Sequence, residues 1–231
     1  MKPNLPQWDV EPFCIEREWE SEGIPILSAT VSIPHSTASK NRISRRITRF
    51  YHLQAHAFLR YCEHWLLPKA TAQHQAAISS SAPLPHMHVQ LNYQITYLEN
   101  ALWSLYTQSC EPDASGETLY FRHGDTWDLS TGYPVTLSSF FPPRTRWKTH
   151  LLALVAQQIQ AQEHTGTTRY YPEWHKLLRR HFNPRNYYLT PKGIIIFFPM
   201  CAIAPPSEEI PTFLLPYSEN LILPFEVHKK A

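Results

Sequence analysis

The sequence predicts an α+β fold, with an antiparallel sheet and helices packed mainly on one of its faces. Apolar and polar residues alternate over residues 87–97, which predicts a half-exposed strand. Apolar residues recur every three or four positions over residues 43–65, which predicts an amphipathic helix. Further segments with the pattern of β-strands lie before and after the helical segments, as they do in α+β domains.

The composition is that of a globular chain and excludes several classes of protein. Of its 231 residues, 43% are hydrophobic and 17% are charged, which suits one large domain or two small ones. No run of about 20 apolar residues predicts membrane insertion, and the N-terminus lacks the apolar region of a signal peptide. We therefore expect a cytoplasmic location. The net charge of +2 neither favours nor excludes a polyanionic partner.

The N-terminal third predicts an arm, a strand and a long helix. Residues 1–23 are polar and aperiodic, so we expect an arm held by Trp8, Phe13 or Trp19. A β-branched, alternating run over residues 24–33 predicts a strand that stops near Pro34. Ser36 or Thr37 is expected to cap the helix that follows. Its expected buried stripe consists of Ile43, Ile47, Phe50, Phe58, Tyr61 and Trp65, with Gln54 as a break.

Proline and serine residues mark the end of this helical region. Pro68 is expected to end the long helix at or before Leu67 because its ring cannot continue the helix comfortably. A second helical piece is predicted over residues 69–78, and residues 79–85 read as a linker. Residues 87–97, 102–109 and 118–129 are then predicted to be strands, with a hairpin turn at Glu99 and Asn100.

The second half predicts two helices and a further hairpin. Residues 144–162 form an amphipathic pattern, and a short helix is expected after Pro172. Residues 187–189 and 193–198 predict a hairpin, and residues 212–215 a last strand. We expect residues 87–97 and 193–198 to lie in one common sheet.

Two stretches carry a family resemblance. The first holds Asp128, Leu129 and Thr131-Gly132, followed by Val-Thr-Leu at 135–137; the second covers residues 187–217 with its Ala-Pro and Ile-Pro steps. Together they resemble the family of unknown function found in the extracellular part of the lysozyme-sensing anti-sigma factor RsiV and in the peptidoglycan deacetylase PdaC. The resemblance spans residues 86–220, although the family's T-G-G-A-H stretch is absent from residues 111–123.

The resemblance implies a domain organisation and a role. It divides the chain into an arm (1–23), a strand and long-helix half (24–85) and an RsiV-like domain (86–225), the last two forming one compact unit. It implies a non-catalytic binding or sensing domain for a protein or a cell-wall-type glycan. The oligomeric state stays open.

Candidate partner-binding residues fall in two places. The loop at 111–118 replaces a variable-looking loop of the family, and its candidates are Glu111, Asp113, Ser115 and Glu117. The start of the long helix is basic, with Arg42, Arg45 and Arg49 expected to face outward and Lys40 and Arg46 to flank the buried stripe. A basic face can bind phosphate backbones, so regulation through nucleic acid or a sigma factor is an alternative function.

Reactive groups are sparse. His123 and Asp125, with Asp128 nearby, could move protons, so a hydrolase acting on cell-envelope glycan or peptide is a second alternative. No companion nucleophile, phosphate-binding loop or dinucleotide motif is present. The pairs His52/His56 and His86/His88 are expected to face solvent, and the four cysteines are widely spaced, so we predict no metal and no cofactor.

Overall fold

The computed structural model describes residues 9–37, 41–113 and 115–218, and it divides the chain into two units that interleave in sequence. Unit 1 comprises residues 1–93 and 107–119, and unit 2 comprises residues 94–106 and 120–231. The boundary expected at residue 86 therefore falls inside unit 1. Trp8 and Lys40 lie outside the described residues.

Unit 1 begins with strands β1 (Val10–Ser21) and β2 (Ile24–Ser36), which pair antiparallel along their whole length. The sequence predicts an arm over residues 1–23, and this expectation is wrong for residues 10–21. β1 is the edge strand of its sheet, and most of its side chains are exposed. Charged residues suit such an edge because they oppose pairing with other chains, so the strand carries no apolar alternation that would reveal it.

The helical region of unit 1 is continuous from α1 (Arg42–Tyr61) through a π-helical turn (Cys62–Leu66) to α2 (Leu67–Ser80). The expected stop before Pro68 is wrong. A proline ring clashes with the carbonyl four residues earlier, and the wider π turn just before Pro68 relieves that clash. The cap of α1 also differs from the expected Ser36 or Thr37: the Asn41 side chain accepts the Ile43 amide at 2.9 Å.

The buried face of this helical region lies one residue away from the expected stripe. Phe50 is 37% exposed and Trp65 is 66% exposed, whereas both were expected to be buried. The buried positions are Ser44, Ile47, Tyr51, Ala55, Leu59, Cys62 and Leu66. Ser44 and Ala55 are too small to stand out in an apolar pattern, and their size lets the helix approach β2 closely.

Three long strands contribute residues to both units: β3 (Met87–Glu99), β4 (Leu102–Pro112) and β5 (Thr118–Asp128). With the short β6 (Tyr133–Pro134) they complete a six-stranded sheet in the order β1-β2-β3-β4-β5-β6. Residues 27–31 of β2 pair parallel with residues 87–91 of β3 because the helices between them return the chain to its starting end. The sheet is therefore mixed, and the α+β class is confirmed.

Unit 2 also contains helices α3 (Trp147–Thr165) and α4 (Trp174–His181) and a three-stranded sheet. That sheet has the order β7 (Tyr187–Thr190), β8 (Gly193–Phe197) and β9 (Thr212–Pro216). Leu151, Val155 and Ile159 of α3 pack into one buried cluster with residues of all three strands. The predicted hairpin and last strand are confirmed.

The expectation of one common sheet is wrong, because β3 and β8 belong to different sheets. Inside unit 2, the backbones of the two sheets are in contact. A Cβ atom on Gly124 of β5 would lie 2.0 Å from the Tyr187 carbonyl oxygen of β7. Beside it, the buried Ser104 hydroxyl accepts the Leu189 amide at 2.9 Å and lies 2.8 Å from the Thr126 hydroxyl. Among the described residues, no helix is long and apolar enough to cross a bilayer.

We predict that Gly124→Ala destabilises the protein by about 3 kcal/mol, because its methyl group would overlap a backbone carbonyl that cannot move independently of the sheet. Gly116→Ala is the control. Gly116 has a positive φ of 87° and open space around its Cβ position, so only backbone strain of about 1 kcal/mol is expected there. Urea unfolding of both variants measures the difference. Equal stability of the two variants would contradict this description of the sheet contact.

Candidate functional site

The most distinctive surface of unit 1 is the outward side of α1. The twenty residues of α1, all of which the structure describes, contain five arginines and no Asp or Glu. Arg42, Arg45 and Arg49 are exposed, as predicted, and Arg46 is half-buried. Among residues 9–37, 41–113 and 115–218, no carboxylate forms an ion pair with Arg42, Arg45 or Arg49. These three exposed arginines of α1 therefore have no carboxylate partner among the described residues.

Two exposed apolar side chains lie among these arginines. Leu53 is 57% exposed and Phe50 is 37% exposed. At about 100° per residue, Leu53 lies on the same side of α1 as Arg42 and Arg49. We call Arg42, Arg45, Arg49, Phe50 and Leu53 the arginine face. The apolar part of this face was not predicted, because Phe50 fits the spacing of the expected buried stripe; the alternative spacing of Ile47, Tyr51 and Leu59 would have revealed it.

The loop candidates are placed differently from the expectation. Glu111 lies in β4, is 9% exposed and accepts a hydrogen bond from the Tyr61 hydroxyl at 2.9 Å. Burial, together with this bond to Glu111, raises the pKa of Tyr61 to about 12. Burial, with the nearby Glu111 charge, likewise raises the pKa of Cys62 to about 12. Glu111 is thus a buried hydrogen-bond acceptor, and its expected place on a contact surface is corrected.

Asp113 organises the rest of the loop. One of its carboxylate oxygens accepts from the Ser115 amide at 2.7 Å, the Ser115 hydroxyl at 2.7 Å and the Glu117 amide at 2.9 Å. The bond from the Ser115 hydroxyl, with those from the backbone amides, lowers the pKa of Asp113. Asp113 and Ser115 therefore close the turn on itself, and Glu117 remains exposed.

The candidate catalytic residues do not converge. In β5, the His123 Nε2 atom lies 3.3 Å from an Asp125 carboxylate oxygen; the His123 side chain is 47% exposed and that of Asp125 is 11% exposed. Asp128 instead builds the turn of the Asp-Leu-Ser-Thr-Gly motif: its carboxylate accepts from the Ser130 amide at 2.8 Å and the Thr131 hydroxyl at 3.0 Å. Within the described ranges, no hydroxyl or thiol is hydrogen-bonded to His123, so the structure pairs this histidine with an acid but not with a nucleophile.

The two histidine pairs differ in exposure. His52 was expected to face solvent with His56; instead its Nε2 atom lies 3.2 Å from the His35 Nδ1 atom, and burial, followed by the charge of His35, lowers its pKa. His56, His86 and His88 are exposed, as predicted. No cluster of three or more His, Cys, Asp or Glu side chains suited to a metal ion occurs in the part of the chain that the structure describes.

The His123–Asp125 contact generates a pH prediction. The hydrogen bond with Asp125 raises the pKa of His123 above its ordinary value of 6.5. This contact therefore stabilises the fold below pH 6.5, and the contribution is lost as pH rises through the pKa of the folded state. Asp125→Asn should lower the His123 pKa, measured by NMR titration of the imidazole, and should destabilise the protein more at about pH 5.5 than at about pH 8.

Glu117→Gln is the control, because it removes an exposed carboxylate that forms no ion pair with a histidine of the described residues. An unchanged His123 pKa in Asp125→Asn would show that the contact does not form in solution.

Residues 138–218, from the buried turn before α3 through β9, match the family model of DUF3298, a protein of unknown function. A crystal structure of a DUF3298 family member from Bacteroides fragilis NCTC 9343 has a TM-score of 0.68 at 14% identity, covering 93% of this chain and 94% of its own. A DUF3298 family protein from Pseudomonas aeruginosa PAO1 has a TM-score of 0.59 at 13% identity, covering 94% and 95%.

At these identities the likeness shows the fold alone. No curated protein matches the chain. The expected resemblance to a family of unknown function is confirmed as a match to DUF3298. The match includes the second motif stretch, residues 187–217, but the first, residues 128–137, lies just before it. The part of this chain that matches the DUF3298 family is residues 138–218.

Proposed function

We propose that this protein is a non-catalytic binding domain whose arginine face binds an acidic surface of another protein. The observation that carries the proposal is the set of exposed guanidinium groups of Arg42, Arg45 and Arg49, for which the described residues provide no carboxylate. Cations in the first turn of a helix oppose the helix dipole, so the stability of α1 does not account for Arg42 and Arg45. An acidic partner would compensate their charge.

An acidic protein accounts for this surface better than nucleic acid does. The positive charge is concentrated at the arginine face, because the whole chain carries a net charge of only +2. Nucleic-acid-binding domains are usually strongly basic overall. Phe50 and Leu53 add apolar area among the charges. Protein interfaces concentrate their binding energy in arginine and aromatic anchors packed against apolar neighbours.

The expected energies describe a transient complex. Each exposed ion pair contributes about 0.2–1 kcal/mol, so three pairs cannot offset the entropic cost of association alone. Burial of the exposed parts of Leu53 and Phe50, 57% and 37% of each residue, would add roughly 1 kcal/mol for each side chain. Charge would then speed and orient the encounter, and the apolar contacts would hold the complex.

We predict that the triple variant Arg42→Gln/Arg45→Gln/Arg49→Gln binds a fluorescein-labelled acidic peptide of Glu and Leu residues about tenfold more weakly than the unmodified protein does. The reason is that three charge contacts are lost together. Leu53→Ser should weaken it by a similar factor. Fluorescence anisotropy at two salt concentrations measures both effects. Higher salt should weaken binding by the unmodified protein more than binding by the triple variant.

A matched triple variant controls for net charge. Arg144→Gln/Arg180→Gln/Lys192→Gln removes the same charge from exposed positions in unit 2 and should leave peptide affinity within about twofold. An equal loss in this control would mean that net charge alone governs binding, which would overturn the proposal. Tighter binding of a DNA duplex than of the peptide would favour the nucleic-acid alternative instead.

The His123–Asp125 contact supports a hydrolase as the second candidate function. Turnover of peptidoglycan fragments by the unmodified protein, lost in a folded His123→Ala/Asp125→Ala variant, would replace the binding proposal. Our proposal predicts no turnover in either protein, together with unchanged peptide affinity in the double variant.

A further inference from the structure

A groove lies between α3 and α4 in unit 2, with a volume of about 780 Å³. Its floor is apolar and includes Leu152 of α3 and the buried Trp174 and Leu178 of α4. Its rim carries three cations from both helices, Lys148, Lys176 and Arg179, together with His175. The volume lies within the range of about 300–1,000 Å³ that is typical of small-ligand sites.

Small residues create the space. Ala153 and Ala156 stand on the side of α3 that faces α4, and neither is large enough to fill the gap. The floor is held in place: the Trp174 indole N–H donates to a Glu163 carboxylate oxygen at 3.1 Å, and the His175 ring stacks on the indole at a centroid distance of 3.4 Å. The apolar floor is thus formed before any ligand binds, which lowers the cost of binding.

The charge of the rim has no compensation within the groove. Among the described residues that line it, none is Asp or Glu. Glu163 is hydrogen-bonded to Trp174, and Glu173 precedes that residue in the chain without lining the groove. Lys148 lies in the first turn of α3, where a cation is unfavourable, and its ammonium nitrogen lies 5.5 Å from the centroid of the Trp147 ring. The groove therefore combines an apolar floor with an electrostatic preference for an anion.

We propose that this groove binds a single-chain amphiphile that carries a phosphate head. The alkyl chain would lie along Leu152 and Leu178, and the phosphate would bind Lys148, Lys176 and Arg179. A phosphate monoester offers up to two negative charges and three acceptor oxygens, which matches several donors from two helices better than a carboxylate does. This site lies in unit 2 and does not rest on the arginine face of unit 1.

Isothermal titration calorimetry with dodecyl phosphate, below its critical micelle concentration, tests the site. We expect one saturable site on the full-length protein. Dodecyl maltoside has the same chain with a neutral head, and inorganic phosphate has the charge without the chain, so both should bind at least about tenfold more weakly. Shortening the chain from dodecyl to decyl phosphate should cost up to about tenfold in affinity.

Matched variants locate the site. Arg179→Glu should weaken dodecyl phosphate binding by about tenfold, whereas Arg180→Glu, next to it on α4 and outside the groove, should not. Ala153→Phe should fill the groove and abolish binding, whereas Ala161→Phe, on an exposed part of the same helix, should leave it intact. Circular dichroism checks that each variant folds.

Three results would overturn the proposal: no binding of dodecyl phosphate, equal binding of dodecyl maltoside, or equal binding of inorganic phosphate. All three use the unmodified protein, so they decide the question even where a variant fails to fold. Equal losses in Arg179→Glu and Arg180→Glu would also overturn it, because binding would then follow net charge rather than the groove.

Discussion

The close approach of β5 to β7 is the constraint on which unit 2 depends. At Gly124 the two backbones lie so near that no side chain fits between them, and beside it the Ser104 hydroxyl satisfies the buried Leu189 amide. A buried amide without such an acceptor would cost about 1–3 kcal/mol. This contact fixes β7 against the six-stranded sheet. β8 pairs with β7, β9 pairs with β8, and α3 packs on this three-stranded sheet. The geometry of the groove between α3 and α4 therefore depends on a contact made by a glycine and a serine.

Most of the acidic side chains that are candidate site residues in the sequence form hydrogen bonds within the fold. Asp128 holds the turn of the family motif, Asp113 holds the loop before β5, and Glu111 accepts a bond from Tyr61 inside unit 1. These carboxylates therefore serve as hydrogen-bond acceptors within the fold. The arginines of α1 differ from these carboxylates: Arg42, Arg45 and Arg49 are exposed and form no ion pair with any described residue. This contrast favours binding over catalysis.

The features predicted correctly from the sequence depend on local patterns. The alternation in β3, the hairpin of β7 and β8, and the Asp128 turn are each specified within about a dozen residues, and so is the outward direction of Arg42, Arg45 and Arg49. The features that were missed depend on contacts distant in sequence. β1 pairs as an exposed edge strand, β2 runs parallel to β3, and β8 belongs to a separate sheet. Glu111 accepts a hydrogen bond from Tyr61 of α1, and the groove is lined by residues of both α3 and α4, so neither can be read from a local pattern.

NMR observation of the arginine Nε–H groups tests binding at the arginine face, because it reports on the guanidinium groups themselves. The unmodified, isotope-labelled protein would be titrated with the acidic Glu-Leu peptide. Our account predicts saturable shifts of the Arg42, Arg45 and Arg49 signals, with one shared affinity, while Arg144 and Arg180 stay unchanged. Shifts confined to residues around His123, with the α1 arginines unaffected, would contradict it.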